Sequence, residues 1–126
     1  MSVALMNGGG GGKKFRIPFF YFGGYASDNY SSWHVTGQLK LDTTDFKQLD
    51  IGQITFYGYE STYWFKITDD TNGNTLYYNA CVNTHTPFTS NNLSFDVSNI
   101  NQVTLQADGN AYMRQRYANV TDIVLS

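Results

Sequence analysis

Apolar residues recur at every second position along most of this chain. From Ser32 to Asp42, Trp33, Val35, Gly37, Leu39 and Leu41 fall on one side of an extended backbone, with His34, Thr36, Gln38 and Lys40 on the other. From Gln53 to Tyr59, Ile54, Phe56 and Gly58 alternate with Thr55, Tyr57 and Tyr59. From Thr62 to Thr68, Tyr63, Phe65 and Ile67 alternate with Trp64 and Lys66. Period-two patterning predicts half-buried strands. The stretch Asp69–Asn74 packs Asp-Asp, Asn-Gly and Asn into a turn, so the pattern predicts a hairpin returning through Thr75–Val82. On that return strand Leu76, Tyr78, Ala80 and Val82 are expected on one face and Tyr77, Asn79 and Cys81 on the other. Leu93, Phe95 and Val97 predict a short strand, and Val103, Leu105 and Ala107 another, ended by a tight turn at Asp108-Gly109-Asn110. Tyr112–Tyr117 and Thr121–Leu125 complete the series.

Helix has little support. Asp42 to Asp45 caps at most one turn through Phe46 and Leu49. Pro18 marks "RIPFFYF" as an edge strand or an irregular entry segment. Roughly seven to nine short strands spaced about ten residues apart predict an all-β fold, a single antiparallel β-sandwich. Unequal strands and two long connections, 23–31 and 83–92, favour a jelly roll within that class. Residues 14–126 form the expected sandwich. Residues 1–13 form an extended arm, flexible or anchored by a partner. Its five consecutive glycines, Gly8 to Gly12, offer no side chain to bury. Ordering them costs on the order of 5–10 kcal/mol.

Composition sharpens this picture. Aromatic residues make up 17% of the 126 residues and charged residues only 14%. Such a polar, weakly charged surface suits adhesion, sugar contact or subunit packing. From Ile17 onward five basic residues face ten acidic ones, the wrong sign for a nucleic-acid-binding domain. The single cysteine, Cys81, excludes an internal disulfide. No apolar run approaches the ~20 residues needed to cross a bilayer. The leading apolar stretch lacks the preceding basic residues of a signal peptide. A soluble protein made without export is expected, with neither nucleic acid nor membrane as partner.

No constellation marks an enzyme. Glu60 is the only glutamate, and Asp28, Asp45, Asp69, Asp70 and Asp108 fall in expected turns. His34 and His85 are isolated from one another and from a nucleophile's supporting groups. Asp70-x-Asn72-x-Asn74 reads as a hairpin turn, because a calcium loop would place its glycine and a glutamate differently. No metal or cofactor is expected. The aromatic excess carries the best candidate site. Tyr57, Tyr59, Trp64 and Tyr77 lie opposite their strands' Ile, Phe and Leu residues, and neighbouring strands would merge them into one platform. Such a platform is a second packed face, a subunit interface or a sugar-stacking surface. Arg114 and Arg116, two apart in "YMRQRY", join it as candidates for an anion or a neighbour's carboxylate.

The leader "MSVALMNGGGGGKK" resembles the N-termini of tail and other virion-associated proteins of phages and prophages of Gram-positive bacteria. "FKITDDTNGNTLYYN" and the later "LSFDVSNINQVTLQADGNAYMRQRYANVTDIVLS" are similar to the second half of galactose-binding-like jelly-roll modules. Those modules carry Trp and Asp near the last strand where this chain has "MRQRYANVTD", so no ligand residue is carried over. The resemblances imply a non-enzymatic virion component of a tail, baseplate or fibre, assembled in the host bacterial cytoplasm. Its partners would be other virion subunits, including its own copies in a homo-oligomer, with a cell-surface glycan as a further contact. The alternative is a stand-alone carbohydrate-binding module. The strand-like "SVALM" would add to the open edge of a neighbouring sheet.

Overall fold

A computed structural model describes residues 5–7, 13–22, 34–58, 62–82, 86–110 and 116–126. Trp33, Tyr59, Glu60, His85, Arg114 and Gly8–Gly12 lie outside the described residues. Among the described residues there is no helix, and every strand pairing is antiparallel. The strands are β1 (Leu5–Asn7), β2 (Lys13–Tyr21), β3 (His34–Asp42), β4 (Gln48–Gly58), β5 (Thr62–Asp69), β6 (Asn74–Val82), β7 (Phe88–Thr89), β8 (Leu93–Asp96), β9 (Gln102–Asn110) and β10 (Arg116–Leu125). One sheet runs β1-β2-β10-β4, with β7 and β8 both on the far edge of β4; the other runs β3-β9-β5-β6. Together they form the expected β-sandwich. The strand order establishes the two packed sheets and leaves the jelly-roll path an expectation.

The core lies between the sheets and is rich in rings. Phe22 meets Phe65 edge to face at 5.1 Å, Phe65 stacks with Phe56 at 6.5 Å, and Phe56 contacts Phe88 at 5.0 Å. Much of the aromatic excess is therefore spent inside, where such ring pairs contribute about 1 kcal/mol beyond simple burial. The expected alternation holds on β5, where Tyr63, Phe65 and Ile67 are fully buried.

The first sheet holds a feature that simple alternation hides. In β4 the buried positions are Leu49 and Ile51, then Ile54 and Phe56. In β10 they are Leu125 and Ile123, then Val120 and Ala118. In β2, Phe15 and Ile17 are buried, then Phe22, with Phe20 packed against the core. All three strands change phase at one row, where Gly52, Asp122 and Pro18 stand and the ladder lacks a pair while its register is kept. Asp122 adopts a left-handed backbone there, φ 52°. A side chain at Gly52 would press on Asp122 Cβ and Thr121 O, each 3.0 Å from its Cβ. This break explains two differences from expectation. β4 begins at Gln48, where a helical turn was the alternative, because Leu49 and Ile51 are out of step with Ile54 and Phe56. β2 is a full nine-residue strand through Pro18, because that proline falls at the row where the ladder is already interrupted.

Other boundaries also move. Asp108, Gly109 and Asn110 do not turn; they continue β9, paired with β5 on one side, and Asp108 and Gly109 also pair with β3. Pairing on both sides outweighs local turn preference. Short β7 lies within the connection expected as a loop. The hairpin at Asp69–Asn74 is present. Asp69 accepts hydrogen bonds from the Thr71 and Asn72 amides at 2.9 Å, and Gly73 takes φ 77°. The described part of the leader is a short strand. Leu5–Asn7 pairs with β2 of its own chain, Leu5 opposite Phe15 and Asn7 opposite Lys13, and Lys13 already belongs to the sheet.

Candidate functional site

Of the expected platform, the described rings Tyr57, Trp64 and Tyr77 are not brought together. Tyr57 belongs to the first sheet, and Trp64 and Tyr77 to the second. Within the second sheet Trp64 and Tyr77 point to opposite faces. Tyr77 pairs with inward-facing Ile67, whereas Trp64 pairs with Ala80. The physical reason is a bulge. Ile67 pairs with Tyr77 but Thr68 with Thr75, so Leu76 is the extra residue and reverses the alternation expected for β6. Leu76 and Tyr77 both pack against the core. Burial raises the Tyr77 phenol above its ordinary range, and the Asn79 side chain offsets only part of that. Arg116 pairs with Gly58 at the end of the first sheet.

Two other ring clusters form on the outer faces. On the first sheet, Phe19 and Tyr21 stand two residues apart on β2, each 55% exposed. Their cross-strand neighbours are Thr121 and Asn119 on β10, which face Gln53 and Thr55 on β4. Tyr57, which is buried, and Tyr117 pair one row further along, with ring centres 5.8 Å apart. Rows 19–21 of this face carry rings, amides and hydroxyls but no charge. Charges return beyond the phase break, where Arg16 bonds Asp122 at 2.5 Å and Gln48 bonds Asp50 at 2.8 Å. β1 covers β2 only at residues 13–15, so among the described residues the edge of β2 beside Phe19 and Tyr21 has no strand beyond it.

On the second sheet, Trp64 lies beside Tyr78, ring centres 5.9 Å apart and inclined by 44°. Lys66 Nζ sits 5.0 Å from the centre of the Trp64 ring. In the row of Tyr78 and Lys66 follow Gln106 and Gln38, whose amides bond at 2.8 Å. Trp64 itself pairs with Ala80 on one side and with Asp108 on the other. Tyr78, with 56% of its surface exposed, is the ring that sequence reasoning placed on the Leu76 face and left out of the platform. The signal for it was the bulge, which the sequence does not mark.

The acidic turn is structural. Asp69 also accepts from the Asn72 amide group at 2.9 Å, and Asp70 accepts from Gln102 at 2.7 Å and from the Thr104 hydroxyl. Burial raises the Asp69 carboxyl, but the bonds from Asn72 and Thr71 outweigh it and hold the group below the usual carboxylate range. Asp108, expected in a turn, is buried within β9. Among the described residues no group of three or more His, Cys, Asp or Glu is placed to hold a metal ion, and no helix is long and apolar enough to cross a membrane.

The fold and its surfaces thus define a β-sandwich with an aromatic cluster on each outer face. No protein-family model matches the sequence, and no curated protein matches it.

Proposed function

We propose that this protein is a non-enzymatic structural and interaction module, a subunit of a phage particle in the tail, baseplate or a fibre, that works by packing against other subunits. One observation carries the packing: Phe19 and Tyr21 project side by side from the first sheet, on a face whose adjoining positions are Thr, Asn and Gln. Rings surrounded by uncharged polar groups are what protein interfaces concentrate at their centres. Exposing two such rings to water on an isolated subunit would be costly and would favour association. The placement in a virion rests on the leader "MSVALMNGGGGGKK" and its resemblance to phage virion proteins. Proteomics of particles purified from the source tests it. The chain is expected at a stoichiometric copy number; its absence from particles refutes the placement.

A second reading has its own observation. The inclined Trp64–Tyr78 pair, with Lys66, Gln106 and Gln38 on the same face, offers stacking for the flat C–H side of a sugar and polar groups for its hydroxyls. A glycan screen is expected to return ligands whose binding is lost in Trp64→Ala. A screen without ligands leaves the packing reading alone.

A further inference from the structure

The sheets approach each other along β4, whose Cα atoms come within 8 Å of those of β5 and β6. On the opposite flank, β2 and β3 enclose a cleft of about 560 Å3. Its apolar walls are Phe15, Phe20, Leu39, Leu41 and Phe46, and Lys13 and Asp45 pair at 3.6 Å beside it. Residues 38 to 42 of β3 line this cleft without interruption. A strand that shows only one face contributes every second residue. Five in succession mean that β3 presents its edge. Among the described residues β3 is the terminal strand of its sheet and bonds only β9. Its outer edge therefore runs beside an apolar trough, which is the arrangement that strand addition needs: backbone groups to bond, and pockets for alternate side chains.

We infer that this edge receives the leader of a second copy, with Ser2–Met6 added as a strand on β3 and two of its alternate apolar side chains seated in the cleft. The inference rests on the packing reading and names its partner and contact. The match is one of length and pattern. Ser2 to Met6 number five, as do the residues 38 to 42 that line the cleft. Val3 and Leu5 are two apart, the spacing of side chains on one strand face. The glycine run extends to roughly 17 Å at 3.3–3.6 Å per residue, enough to carry a strand off its own domain. On its own domain the described part of the leader makes three residue pairs, Leu5–Phe15, Met6–Lys14 and Asn7–Lys13. Moving to β3 of a neighbour sets five residues of the leader beside an apolar wall. Donor and acceptor are different surfaces, so each copy gives one strand and takes one. Contacts of that kind build rings or filaments.

Cysteine cross-linking of the full chain tests this, with Cys81→Ala as background. One chain carries Ala4→Cys. It is mixed with a chain carrying Lys40→Cys on β3, or with one carrying Thr89→Cys on β7, exposed at the far edge of β4. Mild oxidation is expected to link the Ala4→Cys chain to the Lys40→Cys chain at least about tenfold more than to the Thr89→Cys chain, because docking raises the local thiol concentration. Equal yields overturn the inference. So does a doubly substituted chain, Ala4→Cys with Lys40→Cys, that links only within itself. Sedimentation of the unsubstituted chain separates the two levels. Association without the selective link overturns the β3 docking and leaves subunit packing standing, whereas a monomer at every concentration overturns both.

Discussion

At the residue scale, the backbone sets the sharpest constraints. A Cβ at Gly37 would lie 2.0 Å from the carbonyl oxygen of Phe22, where the end of β2 crosses β3. Neither backbone segment can yield easily, so Gly37→Ala is expected to cost about 3 kcal/mol, as an overpacked core does. Gly73 is the contrast, with open space around it but φ 77°. Gly73→Ala should cost only about 1 kcal/mol, the strain of a left-handed residue. Urea midpoints of the two variants check the order; equal losses would contradict it. The carboxylates add a pH dependence. Hydrogen bonds from Thr44 lower Asp42, those from Asn72 and Thr71 lower Asp69 against burial, and those from Ser98 lower Asp96. Their contribution is complete above the unfolded carboxyl value of about 3.9 and is lost as pH falls through the lower folded values. Through these carboxylates stability should therefore fall on acidification below about pH 4, and Asp69→Asn should flatten that fall. Thermal melts between neutral and strongly acidic pH read the difference.

At the element scale, the row of Pro18, Asp122 and Gly52 decides how the first sheet presents its faces. Without it, Ile17 and Phe22 would not both be inside. Asp122 stands left-handed in that row and is held by Arg16. Asp122→Val should destabilise by about 2 kcal/mol, because a β-branched residue fits that backbone poorly. Asp122→Gly should stay within about 1 kcal/mol of the parent, since relief of strain offsets the exposed ion pair. Denaturant titrations of both variants test this; a tolerated valine would contradict the phase break. The same row marks where the sequence was and was not legible. β5, the hairpin turn and the β3 core positions Leu39 and Leu41 follow from clean alternation and from Asp-Asn-Gly chemistry. The first half of β4 did not, because its two apolar pairs are out of step. The continuation of β9 through Asp108-Gly109 did not, because only the flanking strands impose it. Trp64 was legible as an outward ring, but its companion Tyr78 was hidden by the bulge at Leu76, and Tyr77 was assigned to the wrong face for the same reason. Phe19 and Tyr21 were set aside with Pro18.

At the scale of the whole molecule, the described parts of the two sheets approach along β4 and enclose a cleft between β2 and β3. Each outer face carries rings among the described residues. The first face joins Phe19 and Tyr21 to uncharged polar neighbours, and the second joins Trp64 and Tyr78 to a lysine and two glutamines. The first suits a protein surface and the second suits a sugar, so the two readings concern separate substitutions. Trp64→Ala should leave self-association unchanged while removing any glycan binding. A variant that lost both would contradict this division. The account depends above all on the first face being a place where subunits meet. Sedimentation equilibrium of the full chain, beside a Phe19→Ser/Tyr21→Ser variant, measures that most directly. The parent is expected to gain mass with concentration, and the variant, folded by circular dichroism, to remain closer to the monomer. Identical association of the two proteins, or a parent that stays monomeric throughout, would contradict it.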